Sequence, residues 1–175
     1  NYNHGHYIQE ALQAILSQSF SPLEVIVIDD GSTDNSVQII ESIAEKNPTV
    51  KFYRNVKNEG VWYSSNKGAK IATGEYIYFC AADDRVCPGF FEKSVKILNQ
   101  NPQAGLSSGL LKIIGKDGNE EMWARTPVIS STECFLSADQ VRKTLLKHGF
   151  WFTGHTVIFR RDYVVKDKDT DVFDP

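Results

Sequence analysis

Cysteine is scarce in this sequence, and its spacing suits neither metal binding nor disulfide formation. The three cysteines, Cys80, Cys87 and Cys134, are odd in number and include no C-x-x-C pair. Such usage is typical of a reducing compartment and argues against a disulfide framework. We therefore expect a cytoplasmic location.

Long apolar runs are missing as well. No stretch approaches the roughly 18 to 20 apolar residues that a membrane-spanning helix needs, and the first residues lack the features of a signal peptide. The chain begins NYNHGHY without a starting Met and ends DVFDP. We expect residues 1–175 to form one domain from a longer protein, whose association with the inner face of the membrane is left open.

Excess basic charge and glycine-rich phosphate loops are also absent. A net charge of −3 gives no reason to expect a nucleic-acid partner. Neither G-x-G-x-x-G nor G-x-x-x-x-G-K-[ST] occurs in the chain. A phosphate ligand would therefore need another means of binding, such as a divalent cation held by carboxylates.

The first half of the chain alternates amphipathic helices with short apolar strands. The expected elements are a helix from Tyr7 that Pro22 closes, a strand over Val25–Ile28, a helix through Val37, Ile40 and Ala44, a strand over residues 50–55, a helix over residues 64–74 with Gly74 as its C-cap, and a strand over Tyr76–Cys80. This alternation predicts parallel β-α-β units.

The second half is predicted to continue with mixed elements. They are a helix through Phe91, Val95 and Leu98, strands around a turn at residues 116–118, a helix with a Ser137/Gln140 capping box that Gly149 terminates, and a last strand over residues 156–161. The stretch WFTGH, residues 151–155, suits either aromatic packing or an acceptor pocket with His155 near a transferring sugar.

Two of the predicted strands end in adjacent carboxylates. Asp29 and Asp30 follow Val25–Ile28, and Asp83 and Asp84 follow the run that ends at Cys80. Parallel sheets bind ligands at the carboxyl ends of their strands, so we expect both strands in one parallel sheet and both pairs at one crevice. Paired carboxylates suit Mg2+ or Mn2+. Turn formation by the first pair and capping of the next helix by the second are the simpler alternatives.

Several motifs together resemble one enzyme family. Those that stand in the order and spacing of family 2 glycosyltransferases are YN at Tyr2 and Asn3, VIVIDDGSTDNS, Asn58-x-Gly60 followed by Asn66-x-Gly68, TGEYIYFCAADD, and the late FRRDY and FDP. The resemblance spans nearly the whole chain. It implies the GT-A fold, an α/β, Rossmann-like arrangement with a mostly parallel central sheet flanked by helices, here without its first strand.

The resemblance also implies a nucleotide-diphosphate sugar donor, usually UDP-linked, and an Mn2+ or Mg2+ cofactor. Tyr2 is then expected beside the nucleobase, and Asp29 or Asp30 accepts a hydrogen bond from its imide N–H. Asp83 matches the last Asp of the family's Asp-x-Asp and reaches the diphosphate through the metal. The donor-binding residues carried over are Tyr2, Asn3, Asp29, Asp30, Asn58, Gly60, Asn66, Asp83 and Asp84.

The expected reaction is transfer with inversion to a glycan or lipid-linked acceptor, as in polysaccharide biosynthesis. Three departures from the family pattern bear on it. Ala81 replaces the first Asp of Asp-x-Asp, with Asp84 as a candidate to compensate, and Ser65 replaces an Arg near the donor phosphates, with Lys67 or Lys70 as substitutes. The catalytic base of such enzymes follows FDP, so it is expected beyond Pro175.

Two other functions are compatible with parts of the pattern. Receiver domains of phosphorelays also gather carboxylates around Mg2+ at the ends of parallel strands, but they leave the Asn58 and Asn66 elements without a role. A non-catalytic module that binds nucleotide sugars is the second alternative, suggested by Ala81.

Overall fold

The computed structural model describes residues 1–115, 121–123, 127–150, 152–167 and 170–173. The turn expected at residues 116–118, Trp151 and the final Asp174 and Pro175 lie outside this range. The helices are α1 Ile8–Leu16, α2 Ser36–Lys46, α3 Val61–Ile71, α4 Phe90–Gln100, α5 Ala138–His148 and α6 Arg161–Val164. The strands are β1 Val25–Asp29, β2 Val50–Arg54, β3 Tyr76–Tyr78, β4 Leu106–Ser108, β5 Lys112–Ile114, β6 Glu121–Trp123 and β7 Val157–Arg160.

The first two strands form a parallel pair with α2 as the crossover. Their register runs from Val25 opposite Val50 to Asp29 opposite Arg54. On the other side of β1, the Asn1 nitrogen donates to the Ile28 carbonyl, and the Asp30 N–H donates to the Asn1 carbonyl, both at 2.8 Å. These two bonds are the pattern by which a residue in a parallel strand pairs with its neighbour.

The core explains why β1 is an apolar run. Val25 and Val27 are buried with Ile8 and Leu12 of α1 and Ile40 of α2, and Ile40 has no exposed surface. Helices cover the strand pair, and β-branched side chains suit such a buried strand. The carboxyl end of β1, at Asp29, is therefore anchored by this packed core.

The third strand pairs differently from the sequence prediction. β3 is antiparallel to β7, which is also antiparallel to β4, and β5 is antiparallel to β6. Among the described residues, β1 and β3 share no ladder. The prediction that they lie in one parallel sheet is therefore wrong. The partner that β3 does have, β7, comes from the second half of the chain, which a local apolar pattern does not specify.

Three predicted boundaries also need correction. α3 begins at Val61, after Gly60 with a φ of 96°, and ends at Ile71, so Gly74 does not cap it. β3 ends at Tyr78 rather than at Cys80. Gly89, with a left-handed φ of 75°, precedes α4, so Asp83 and Asp84 do not cap that helix.

The capping box of α5 is confirmed. The Ser137 hydroxyl accepts from the Gln140 N–H, the Gln140 side chain accepts from the Ser137 N–H, and Gly149 follows the helix. None of the helices in the described part of the chain combines the length and apolar character that crossing a bilayer requires.

Glu24, just before β1, joins three elements. Its Oε2 accepts from Lys51 Nζ at 2.6 Å, and its Oε1 accepts from the Thr73 N–H and hydroxyl, both at 2.7 Å. Burial alone would raise the pKa of Glu24, but the bonds from Lys51 and Thr73 outweigh it and lower the pKa. The ionised carboxylate thus holds β1, β2 and the end of α3 together.

We expect Glu24→Gln to lower the free energy of unfolding by about 1 to 2 kcal/mol near pH 7. Because folding lowers the pKa of Glu24, its contribution is present above the unfolded pKa and is lost as the pH falls through the folded pKa. Urea denaturation at about pH 7 and about pH 3 measures this, with the exposed Glu41→Gln as control. A difference that is the same at both pH values would contradict the prediction.

Candidate active site

Asp29, at the end of β1, is a fully buried carboxylate with every oxygen in use. Its Oδ1 accepts from the Asn1 side-chain amide at 2.7 Å and from the Ser32 hydroxyl, and its Oδ2 accepts from the Ser32 N–H at 2.9 Å. Arg54 Nε lies 3.6 Å from Oδ2. Asp29 therefore closes the turn that follows β1, as the simpler reading of the first Asp pair expects.

Asp30 holds the loop between β2 and α3 against β1. Its Oδ1 accepts from Asn55 Nδ2 at 2.7 Å and the Glu59 N–H at 3.0 Å, and its Oδ2 accepts from the Gly60 N–H at 2.8 Å. Burial alone would raise the pKa of Asp30, but these bonds outweigh it and lower the pKa. Gly31 makes the close approach possible, since a Cβ there would lie 2.7 Å from the Lys57 backbone.

The structure brings Asn58 and Gly60 to Asp30. Asn58 Oδ1 accepts from the same Gly60 N–H at 3.0 Å. Asn55 and Ser64, which the sequence analysis did not assign to the site, join this group, as does Lys67, which it named as a substitute cation. Asn55 Nδ2 also donates to the Ser64 hydroxyl at 3.0 Å, and Lys67 Nζ donates to Asn55 Oδ1 at 2.8 Å. The signal for them was available, because Asn55 directly follows a strand and Ser64 and Lys67 are three residues apart on α3.

Residues 1–5 lie along the same turn. Asn3, with a positive φ of 54°, accepts at Oδ1 from the Thr33 N–H at 2.8 Å, and its own N–H donates to the Ser32 hydroxyl at 2.9 Å. The Gly5 N–H donates to Asp34 at 2.8 Å. Tyr2 is 43% exposed, so its ring is open to a ligand at this end of β1.

The Asn66 side chain binds the backbone of residues 172 and 173. Its Oδ1 accepts from the N–H groups of Val172 and Phe173 at 2.9 and 2.8 Å, and its Nδ2 donates to the Phe173 carbonyl at 2.8 Å. The Phe173 ring packs against Trp62 and Phe79. Asn66 therefore fastens the segment 170–173 to α3, and the described contacts do not connect its side chain to Asp30.

The second carboxylate pair follows β3 in a turn closed by the bond from the Asp84 N–H to the Ala81 carbonyl at 3.2 Å. The Asp83 side chain is 48% exposed, with His4 Nδ1 at 3.9 Å. Asp84 Oδ2 lies 2.7 Å from His155 Nδ1. The hydrogen bond and charge of Asp84 raise the pKa of His155 against the opposing effect of burial. Asp83 is thus the carboxylate of this pair that remains open to a ligand.

The short segment from Asn1 to His4 joins the two carboxylate pairs. Asn1 contacts Asp29, and His4 lies beside Asp83. The Cα atoms of Asn1 and His4, three residue steps apart, lie at most about 11 Å from each other. The expectation of one shared crevice is consistent with this arrangement, although the strands are in separate ladders.

Asp83 fits a divalent cation as a single carboxylate ligand, not as part of a larger set of ligands from the described residues. Within the described residues, no cluster of three or more His, Cys, Asp or Glu side chains is placed to hold a metal ion. Mg2+ and similar hard cations are commonly held by one or two carboxylates, with water and substrate phosphates completing the shell. Asp83 fits that mode, in which the ligand supplies most of the oxygens.

Comparisons with known proteins identify the family. The model of glycosyl transferase family 2 matches residues 1–166. The chain belongs to this family. It is 30% identical over 168 residues to the uncharacterized glycosyltransferase YibD of Escherichia coli (strain K12), covering 95% of this chain and 48% of that protein.

Solved structures confirm the GT-A fold. TarS 1–349 of S. aureus matches with a TM-score of 0.72 at 25% identity, covering 97% of this chain and 47% of that one. The same TarS fragment has been solved with UDP-GlcNAc. The mannosyltransferase PcManGT from Pyrobaculum calidifontis, in complex with GDP-Man and Mn2+, matches with a TM-score of 0.64 at 21% identity, covering 98% of this chain and 48% of that one. The chain thus spans about half the length of these proteins.

Proposed function

We propose that this domain binds a nucleotide-diphosphate sugar, with UDP as the nucleotide, in the crevice between Asp30 and Asp83. The observation that carries the proposal is the half-exposed carboxylate of Asp83 across the 1–4 segment from the buried Asp30 group. Family membership and the UDP-GlcNAc complex of TarS support the choice of ligand. In the full-length protein the sugar is transferred with inversion to a glycan or lipid-linked acceptor.

Asp30 is the better candidate of the first pair to receive the nucleobase. Asp29 Oδ2 and Asp30 Oδ2 each accept one described hydrogen bond, but Asp29 has no exposed surface, whereas Asp30 is 5% exposed. Asp30 Oδ2 accepts one described hydrogen bond, so it retains acceptor capacity for an imide N–H. The exposed ring of Tyr2 offers an apolar face beside the same turn.

Asp83 is the residue proposed to hold Mn2+ or Mg2+. When bound, the cation would offset the negative charge of the diphosphate and stabilise it as a leaving group. Asn3, Asn58 and Gly60 shape the nucleotide side of the crevice through their contacts with Ser32, Thr33 and Asp30, which fix the loops. The proton of the acceptor hydroxyl goes to a carboxylate base, and no described residue is assigned that role.

Family membership decides against the receiver-domain alternative. The non-catalytic binding module remains the second candidate, because Ala81 stands where the family's first Asp is expected. Transfer of radiolabelled sugar from a panel of UDP- and GDP-sugars to glycan and lipid-linked acceptors, using the full-length protein with Mn2+, separates the two. Binding of a nucleotide sugar without transfer to any acceptor would favour the module.

We expect Asp30→Asn to weaken uridine binding more than pyrophosphate binding. The base contact is one directional hydrogen bond, worth about 0.5 to 3 kcal/mol depending on its charge, and the amide keeps an acceptor oxygen for Asn55. Calorimetry with uridine, UDP and pyrophosphate measures the three affinities. Equal losses for all three ligands would show that Asp30 acts only by holding the loop at residues 55–60.

A further inference from the structure

The pairing of β3 with β7 brings a histidine from the second half of the chain to the crevice. Tyr78, the last residue of β3, lies opposite Ile158 of β7. The single helical turn Gly154–Thr156 leads into β7 and therefore lies beside the loop that leaves β3. His155 is in this turn, and Asp84 is in that loop.

His155 is held from several sides. The Tyr78 hydroxyl donates to the His155 carbonyl at 3.0 Å, and the carbonyl of the next residue, Thr156, accepts from the Gly109 N–H at 2.8 Å. The ring is fixed by Asp84, whose Oδ2 lies 2.7 Å from Nδ1. A carboxylate on Nδ1 fixes the tautomer and orientation of an imidazole and leaves Nε2 for another partner.

A diphosphate beside Asp83 and Asp84 would need cationic partners. His155 and His4 are the basic groups within ion-pair distance of Asp83 and Asp84 in the part of the chain that the structure describes. Two adjacent carboxylates repel a diphosphate, and Ser65 leaves out a cation at the donor phosphates. The His155 side chain is 44% exposed, so a ligand in the crevice can reach it.

Together these contacts indicate that Asp84 does not compensate for the family's first Asp, which Ala81 replaces. We propose that Asp84 is a positioning residue for His155, and that His155 binds the diphosphate of the donor through Nε2. This inference rests on the proposed donor site and adds to it a residue from the second half of the chain. It gives the adjacent carboxylates different functions: Asp83 binds the metal, and Asp84 orients His155.

The first test compares ligands with and without phosphate in the full-length protein at constant Mn2+. Calorimetry gives the Kd of UDP and of uridine for wild type, His155→Gln and the control His148→Gln, at the exposed end of α5. We expect His155→Gln to raise the Kd of UDP about tenfold, as for one charge-assisted hydrogen bond, and to leave that of uridine unchanged. His148→Gln should change neither.

An unchanged Kd for UDP in His155→Gln, or equal losses for UDP and uridine, overturns the inference and leaves the proposed function standing. Wild-type protein that binds no UDP overturns both. The wild-type measurement therefore tells the two failures apart.

The second test reads the histidine directly in wild-type protein and uses a variant only for assignment. In protein labelled with 15N-histidine, UDP is expected to shift the Nε2 resonance of His155, while uridine leaves it in place and Nδ1 stays protonated. Assignment uses the spectrum of His155→Gln, in which the resonance is missing. No shift with UDP, or the same shift with uridine, would overturn the inference.

The third test addresses Asp84. Asp84→Asn should raise the Kd of UDP in the wild-type background and add little in the His155→Gln background, because the group that Asp84 positions is then gone. Equal increases in the two backgrounds would show that Asp84 acts directly on the metal or the donor, and would overturn its assigned role.

Discussion

Replacing Asp83 by Ala is expected to abolish the dependence of UDP affinity on Mn2+. In wild-type protein the cation offsets the repulsion between the crevice carboxylates and the diphosphate, and we expect Mn2+ to tighten UDP binding by about tenfold or more, roughly 1.4 kcal/mol or more. Asp83 is the exposed carboxylate of its pair, and its described ion-pair partner is His4 at 3.9 Å. Its removal leaves the metal without its protein ligand while disturbing few other contacts.

The measurement is a series of UDP titrations with and without Mn2+ on wild type, Asp83→Ala and Asp162→Ala. Asp162 is a matched control, because its side chain is 90% exposed and lies on α6. Both variants should unfold at the wild-type temperature. UDP binding that is independent of metal in wild type, or that still responds to Mn2+ in Asp83→Ala, would remove Asp83 from the proposed role.

Asp29→Ala is expected to lower the free energy of unfolding by about 3 kcal/mol, the largest stability effect predicted for this site. The carboxylate is fully buried and accepts from Asn1 and from the N–H and hydroxyl of Ser32. Alanine removes this acceptor from the buried N–H and hydroxyl of Ser32, while the Asn1 amide keeps its bond to the Ser32 hydroxyl oxygen at 3.1 Å. Arg54 Nε, 3.6 Å from Oδ2, loses this ion pair but keeps the hydrogen bond from its Nη2 to the Ser32 carbonyl at 3.0 Å.

Urea denaturation of wild type, Asp29→Ala and the exposed control Asp162→Ala measures the loss. Asp29→Asn should be intermediate, since an amide supplies one acceptor oxygen but places its NH2 group towards a donor. If Asp29→Ala is as stable as wild type and instead loses affinity for uridine, Asp29 is a ligand contact, and the assignment of the base to Asp30 fails.

Much of the local structure could be predicted because its causes are local. The spacing of Ile8, Leu12 and Ile15 predicted α1, and that of Val37, Ile40 and Ala44 predicted α2. The Ser137/Gln140 box predicted the start of α5. The boundary of α3 could not, because Gly60 is fixed at its start by Asp30, a residue 30 positions away. A glycine can adopt either a helical or a non-helical backbone conformation, so the sequence around Gly60 does not fix where α3 begins, and the distant carboxylate of Asp30 does.

The hydrogen-bond and ion-pair partners of the candidate site residues could not be predicted from the sequence pattern either. Asn66 belongs to the same motif as Asn58, yet it binds the backbone of Val172 and Phe173, over a hundred positions along the chain. Asp83 and Asp84 are neighbours with the same chemistry, but one lies beside His4 and the other beside His155. Side chains of one type diverge in this way when the elements packed around them differ.

The sequence by itself determined the family, the α/β elements and the two acidic strand ends, because residue order and periodicity record these directly. Only the tertiary structure decided which strands pair, which Asp carboxylates are used up inside the protein, and which residue stands beside Asp84. The physical reason is that a strand's partner, a carboxylate's donors and a histidine's orientation depend on groups distant in sequence. Their positions are known only once β3 has paired with β7 and the loops have closed around Asp29 and Asp30.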